Sequence, residues 1–422
     1  MGLEPKWDSD IVLLGTGVAP LLAAARFLSE GYKVLILNPD GDFFRERSEL
    51  PLDPLLTSTG EISATRLSRS LPERVTEVIR PFFPGAIETW LGNETSTGAS
   101  GGTTGFKDPM APHVRARSRF WIDSDTFSLR ERNLDWPRLE ELYVEASDAG
   151  LHPQILQELT AIRRFPGVNR SSREFESSYH GLWVPRICDV DVVRYQYGLL
   201  EYVRERIGGS RMVTSASQVE WIPEGVRFFD QGQYQTARIS KGAICFWTPR
   251  LTRWIHGIAK KLEATIPQPG GVRVWEDWTL VSRDALDPSV VGVFEDMTVF
   301  ASYEGAPKDP NGVHALRVLR PGAVVGLEQA MRIGPEQTAG GLESFRALER
   351  LCGQMLRWSA FSVRSFEARV LLEWDYRKLA QPMFRLGGEL SKWNVMGGAD
   401  GPLFEVAHQV RKACNVFEET LS

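Results

Sequence analysis

Apolar positions are densest between Ile11 and Asn38. Ile11-Val-Leu-Leu14 and Val34-Leu-Ile-Leu37 are short unbroken apolar runs, and between them Val18 to Leu28 is apolar almost throughout and rich in alanine. Unbroken runs of this length, bounded by glycine, are the pattern of strands buried on both faces, and the segment between them has the length and composition of a helix. The pattern therefore predicts a strand, a Gly15-Thr16-Gly17 turn, a helix and a second strand. Gly15 allows the sharp strand-to-helix turn, and Gly17 lets the backbone approach a pyrophosphate at the helix N-terminus. Pro20 stands where a third glycine is expected. It falls in the first helical turn, where a missing N–H removes no intrahelical bond, although its ring is bulkier where helix and strand pack. Asn38 stands where an acid would accept from a ribose hydroxyl. A hydrogen bond to a neutral group contributes about 0.5–1.5 kcal/mol against about 1.5–3 for a charged one, so binding is weakened, not abolished.

Beyond the turn at Asn38-Pro-Asp-Gly41 the pattern loosens. Residues 42–95 read as a mostly polar insertion with helical stretches, including Leu71 to Arg80, and Gly98 to Gly105 is a Gly/Ser/Thr loop open to close ligand approach. Helices are predicted over Trp136–Ala149, capped by Asp135 and stopped by Gly150, and over Val190–Ile207, ended by Gly208-Gly209. Three or four short strands follow between Met212 and Ile239. Lys241 to Trp247 is a near-continuous apolar strand broken by Thr248-Pro249, after which Arg250 to Ile258 resumes as a helix. Alternation over Val272–Leu280 and Met297–Tyr303 predicts antiparallel strands. A helix over Gly341–Trp358, a strand over Ser365–Trp374, and a closing strand, Gly-rich turn and helix from Trp393 through Phe417 complete the chain.

Nucleotide-fold pieces thus occur at the start, middle and end. The expected class is α/β, a Rossmann-like domain (1–120, 182–261, 390–422) interleaved with an antiparallel-sheet substrate domain (121–181, 262–389). Such interleaving suits a flavin fold, in which the cofactor lies across segments distant in sequence.

Composition narrows the choice. A chain of 422 residues exceeds one ordinary core, and 42% hydrophobic with 24% charged residues is globular. The net charge of −5 with no basic block argues against nucleic acid. The Arg115-Ala-Arg-Ser-Arg119 cluster reads as a solvated or phosphate-facing loop. Cys188, Cys245, Cys352 and Cys414 are scattered without metal or disulfide spacing, and Met1 to Asp10 shows no secretory signal, so a cytoplasmic setting is expected, with no membrane span and no bound metal. The thirteen tryptophans could line a cleft or serve the core.

These segments together resemble the glucose–methanol–choline oxidoreductases, FAD enzymes acting on alcohols and sugars. The stretch from Gly15 to Gly41 is similar to their ADP-binding unit. The Ser100-Gly101-Gly102-Thr103-Thr104 loop, Trp121 and Asp135 to Tyr143 are similar to their flavin loop and the helix after it. Lys241 to Leu251 looks like their strand ending in Thr-Pro-Arg-Leu, and Pro402 to Cys414 like their closing helix. The resemblance implies FAD as cofactor, held by Gly15, Gly17, Pro20, Asn38, Gly101, Gly102, Thr103, Thr104, Val219, Thr248, Gly398, Asp400, Pro402 and Leu403.

It also places departures at the chemistry. Taking a hydroxyl proton while hydride leaves calls for a base titrating near neutrality. The family histidine is matched by Gln381, which cannot take a proton, and the second catalytic position by Gly401. Phe246-Trp247 displaces a family glycine and is expected to crowd the cofactor. Losing a general base costs 10²–10⁴ in rate, about 3–5.5 kcal/mol of barrier. His408 on the last helix and Asp400 in the Gly-rich turn are candidate substitute bases, each with a structural alternative, helix packing and helix capping. Arg377 and Arg385 are candidates to hold an anionic substrate, whereas nothing in the spacing of His113 distinguishes it. The expected function is oxidation of an alcohol or sugar CH–OH group with a modified base. The alternative is a catalytically silent subunit or binding protein that assembles with an active partner; a second copy of the chain is a further candidate partner. A third reading is an amine or amino-acid oxidase, with Trp374-Asp-Tyr-Arg377 holding a carboxylate.

Overall fold

The computed structural model describes residues 6–15, 17–39, 114–122, 136–157, 180–190, 192–214, 216–249, 251–261, 268–282, 290–294, 297–301, 314–329, 341–352, 361–374, 382–399 and 403–421. In chain order the elements begin with β1 (Lys6–Leu14), α1 (Val18–Ser29), β2 (Val34–Leu37), β3 (Val114–Ile122), α2 (Trp136–Asp148), β4 (Gln154–Gln157) and β5 (His180–Val190). Then come α3 (Val192–Arg206), β6 (Arg211–Val213), β7 (Ser217–Ile222), β8 (Gly225–Asp230), β9 (Gln233–Phe246) and α4 (Thr252–Lys261). The remainder comprises β10 (Gly271–Ser282), β11 (Val290–Phe294), β12 (Met297–Ala301), β13 (His314–Val325), α5 (Leu342–Arg350), β14 (Phe361–Glu373), β15 (Met383–Arg385), β16 (Trp393–Met396) and α6 (Leu403–Leu421).

The first sheet runs β15-β16-β9-β1-β2-β6. The strands from β16 to β6 are mutually parallel, and β15 is an antiparallel edge. Both faces are covered, which explains the unbroken apolar runs. Ile11 and Leu13 face α1, while Val12 and Leu14 enter the opposite core with Cys245, Trp247 and Val395. Helix α1 is buried nearly all round, lodged between the sheet, Leu199, Leu200 and Val203 of α3, and Val406, Ala407, Val410 and Cys414 of α6. Its alanines let these elements approach closely. Arg26 leaves the core in the last turn, where a cation complements the helix dipole, and donates to Glu30, Asn415 and Glu418.

Strand β9 carries two duties. Its first half pairs antiparallel with β8 as the last strand of the β7-β8-β9 meander, and β1 runs parallel along its other edge. The expected strand at Lys241–Trp247 is therefore the second half of one 14-residue strand. At the β1 irregularity between Ser9 and Ile11, Asp10 accepts from the Lys33 N–H at 2.9 Å and from the Ser240 hydroxyl at 2.8 Å. The Lys33 N–H foremost, then the Ser240 hydroxyl and the neighbouring lysines, hold its carboxyl below the ordinary value against the opposing effect of burial.

The second sheet runs β14-β10-β13-β12-β11-β3-β5-β4 and is antiparallel except where β11 meets β3. Its interior is held partly by charge. Asp277, 1% exposed, accepts from Arg317 and from Arg369 at 2.7 Å, and Arg369 also donates to Glu367. Glu276 accepts from Ser344 of α5 and lies 3.8 Å from Arg320, while Arg273 pairs with Glu373. Val272, Leu372 and Trp374, at one end of β10 and β14, join the core of the first sheet.

One expectation changes: the Arg115–Arg119 cluster lies in β3, not in a loop. Strands β3 and β5 belong wholly to the second sheet, and β15 pairs with β16 in the first. The helix expected over Gly341–Trp358 is α-helical over Leu342–Arg350 and still helical at Leu351 and Cys352, and residues 353–358 lie outside the described residues. The 42–95 insertion and the Gly98–Gly105 loop lie outside the described residues. Among the described residues no helix is long and apolar enough to cross a membrane.

Candidate cofactor site at the switch point of the first sheet

Strands β1, β2, β9 and β16 bring their C-terminal ends to one edge. The chain turns from β1 toward β2 on one side and reaches β9 on the other, so the crevice between β1 and β9 is a topological switch point, where open α/β sheets bind ligands.

Two glycines shape the β1 side. Gly15 has φ +154°, its N–H donates to Leu37 O at 3.0 Å, and a Cβ there would sit 2.9 Å from the Phe246 Cβ. The space it leaves is thus taken by Phe246 of β9. Gly17 caps α1 at φ +83° with no side-chain cap bond, and the first turn of α1 carries no acid. The positive end of the helix dipole at this edge thus meets no acid of its own first turn, a condition that suits a phosphate. Pro20 is buried inside an unbroken helix, so its ring is accommodated. Asn38 closes the β2 side. It is fully buried, its N–H donates to Val213 O and its carbonyl accepts from Ala216 N, both at 2.9 Å.

The β9 side ends in a tied turn. Thr248 is 2% exposed, and its carbonyl accepts from the Leu251 N–H and the Thr252 hydroxyl, both at 3.1 Å. The Thr252 oxygen in turn accepts from Trp247 Nε1 at 3.1 Å. The Thr248 hydroxyl oxygen has no hydrogen-bond partner among the described residues. Trp247 points away from α1 and meets Trp374 edge-on, ring centroids 5.4 Å apart. The expected crowding by Phe246-Trp247 takes a different form: Phe246 fills the space beside Gly15, and Trp247 belongs to the opposite core.

Gly398, at φ +69°, follows β16 at the same edge, where the Gly397 N–H donates to Pro382 O. Gly15, Gly17, Asn38, Thr248 and Gly398 are therefore gathered at one edge of the sheet. Leu403 opens α6 and packs in the α1 core. Val219 lies half-buried on the meander strand β7. His408 is half-buried on α6, off the row that packs on α1. Arg385 is exposed, opposite Asn394 and away from the C-terminal strand edge, with its Nε donating to Ser391 O at 2.8 Å. Gly101, Gly102, Thr103, Thr104, Arg377, Gln381, Asp400, Gly401 and Pro402 lie outside the described residues. Sequence reasoning passed over Thr252 and the Trp247–Trp374 contact. A threonine at the start of a helix just after a Thr-Pro break is the one local signal that could have pointed to the first; nothing local points to the second.

No family model matches the sequence, and no curated protein matches it either. Solved structures do match in fold. L-proline dehydrogenase from P. horikoshii superposes with a TM-score of 0.62 at 10% identity, over 99% of this chain and 95% of that one. Glycine oxidase from Bacillus cereus gives 0.63 at 13%, over 98% and 96%. The dithionite-reduced L-α-glycerophosphate oxidase of Mycoplasma pneumoniae, solved with FAD bound, gives 0.62 at 12%, over 97% and 95%. The chain shares the fold of these oxidoreductases. Both sheets and their interleaving fall within the match, which covers nearly the whole length of each protein. At this identity the match speaks for architecture alone.

Proposed function

We propose that this protein is an FAD-dependent oxidoreductase that takes hydride from a carbon bearing an amino group, with an amino acid as substrate. The observation that carries the cofactor is the set at the switch point: the α1 N-terminus behind Gly17 with no acid in its first turn, buried Asn38, and the buried Thr248 hydroxyl without a partner among the described residues. Gly17 and α1 would hold the pyrophosphate, and Asn38 would accept from an adenosine ribose hydroxyl. When bound, the flavin accepts the hydride. The protein's part is to bind, orient and exclude water around the reacting carbon.

The preference for an amine follows from proton chemistry. An alcohol must lose its hydroxyl proton as hydride leaves, and at the position where the resemblance implies histidine this chain has Gln381. An amine can shed its proton to solvent before hydride leaves, so a glutamine is tolerable. Two of the neighbours named above are enzymes of proline and glycine, which is consistent with this choice. The substrate carboxylate would pair with Arg377, three positions after Trp374 in the sequence. The second reading, a CH–OH donor as in the glucose–methanol–choline enzymes, is favoured by the Thr248-Pro-Arg-Leu251 segment.

The test is the visible spectrum of the purified protein, followed by an anaerobic panel of amino acids, alcohols, sugars and glycerol phosphate watched for bleaching. Flavin bands bleached by an amino acid support the proposal. Bleaching only by hydroxyl compounds selects the second reading. A protein that stays colourless after incubation with excess FAD overturns both.

A further inference from the structure

Helices α1 and α6 meet at their C-terminal ends through charge. Arg26, in the last turn of α1, donates to Glu30 at the end of its own helix at 3.3 Å. Across the interface it donates to the Asn415 side-chain oxygen at 2.7 Å and to Glu418 of α6. One guanidinium therefore serves two carboxylates. Both lie at the negative ends of helices, where an anion is disfavoured, and the last turn of α6 carries no basic residue. The Oε1 atom of Glu418 is buried without a hydrogen-bond partner among the described residues. A carboxylate only accepts, so Glu418 and Glu30 can bond to each other only when one of them carries a proton.

The charges that act on Glu418 are those of Arg26 and Glu30, both from α1. On α6 its neighbours one turn back are Cys414 and Asn415, and on the sheet Lys241 of β9 lies over the Tyr32 ring at 4.5 Å. Burial foremost, helped by the charge of Glu30 and the hydrogen bond to it, raises the Glu418 carboxyl above its ordinary value of 4.5, with Arg26 opposing.

We propose that Arg26, Glu30 and Glu418 form a pH-sensitive latch between α1 and the end of α6, tightened when the two carboxyls share one proton. The latch stands apart from the FAD reading, since it lies at the end of α1 opposite Gly17. The row of α6 that packs on α1, with Val406, Ala407, Val410, Ala413 and Phe417, is apolar and gives no pH response. Cys414 within it is silent too, because burial pushes its thiol well above the ordinary value. A folded-state carboxyl that is raised contributes its stability fully below the ordinary value and loses it as pH rises through the folded value. At higher pH one guanidinium is left to two anions, and the last turns of α6 open more readily.

The test is amide hydrogen exchange of the full chain, corrected for the intrinsic rate at each pH, comparing residues 415–421 with strand β9. Exchange at 415–421 should slow relative to β9 as pH is lowered from about 8 toward 4.5. Glu418→Gln keeps an acceptor for Arg26 and supplies a donor to Glu30 with no proton to lose. It should abolish the pH dependence and hold exchange near the slow rate that the wild type reaches in acid. Glu30→Gln should likewise flatten the profile, whereas Arg26→Met should speed exchange at 415–421 at every pH. A wild-type profile that is flat, slowing that is equal in β9, or a pH dependence that persists in Glu418→Gln overturns the proposal.

Discussion

The two sheets are stabilised in different ways. Around α1 the first sheet buries hydrocarbon, with Leu21, Leu22, Ala23, Ala24 and Ala25 all fully buried, and its buried ion pair, Arg211–Asp230, sits away from that core at the ends of β6 and β8. Inside the second sheet, charges are buried and paired, as in the Arg317–Asp277–Arg369 group and the Arg320–Glu276 and Arg273–Glu373 pairs. Hydrocarbon packing is forgiving in register but costly to excavate. Buried ion pairs add little net stability, since desolvation offsets attraction, yet removing one member strands the others.

The sharpest way to break that contrast is at Asp277. Asp277→Ala leaves two arginines without their shared acceptor and should cost about 3–5 kcal/mol in denaturant unfolding, whereas replacing Asp277, Arg317 and Arg369 together by Leu, Met and Met should return stability close to wild type. Should the single and triple variants be equally damaged, the second sheet depends on its charges more than argued. In the first sheet Leu22→Ala should cost about 3 kcal/mol by the same measurement, as lost burial plus the cavity left in the core around α1. Gly15→Ala should follow at about 2 kcal/mol, combining strained backbone with the collision against Phe246, and should be less harmful in a Phe246→Leu background. The smallest effect belongs to Asp10→Asn, below about 1 kcal/mol at neutral pH because the group is partly exposed. Because the folded-state pKa of Asp10 is depressed, its contribution is present above the ordinary carboxylate value of 3.8 and lost as pH falls through the lower folded value. The variant should therefore show a flatter loss of stability on the acid side, read from melting temperatures across that range.

The same contrast explains what could be read ahead of the structure. The β1-α1-β2 unit is legible because one residue class and one period define each element, and the closing β16 and α6 are legible for the same reason. Strand β3 is not, because Arg115, Arg117 and Arg119 look like solvated charge and mask the alternation of Val114, Ala116 and Ser118. The paired charges of β10, β13 and β14 are likewise ordinary polar positions until their partners, dozens of residues away, are placed beside them. At the site, Gly15, Gly17, Asn38 and Thr248 could be picked out by type and order. The reason for Gly15 could not, since it lies in Phe246 across the sheet. Nor could the tied turn, which needs Trp247 and Trp374 to meet from different sheets.

Strand β9 also sets an order of events for the growing chain. It receives β1 on one side and β16 on the other, so Ser240 reaches Asp10 across 230 residues and Asn394 reaches Ala243 across 151. Such distant partners make closure of the sheet a late and slow step, since the loops must be closed before the contacts repay them. Until α6 arrives, α1 has one of its apolar flanks uncovered. A ribosome-bound chain stalled before residue 390 should thus remain sensitive to protease within 6–39 and hold on to chaperones, and release of the last segment should end both.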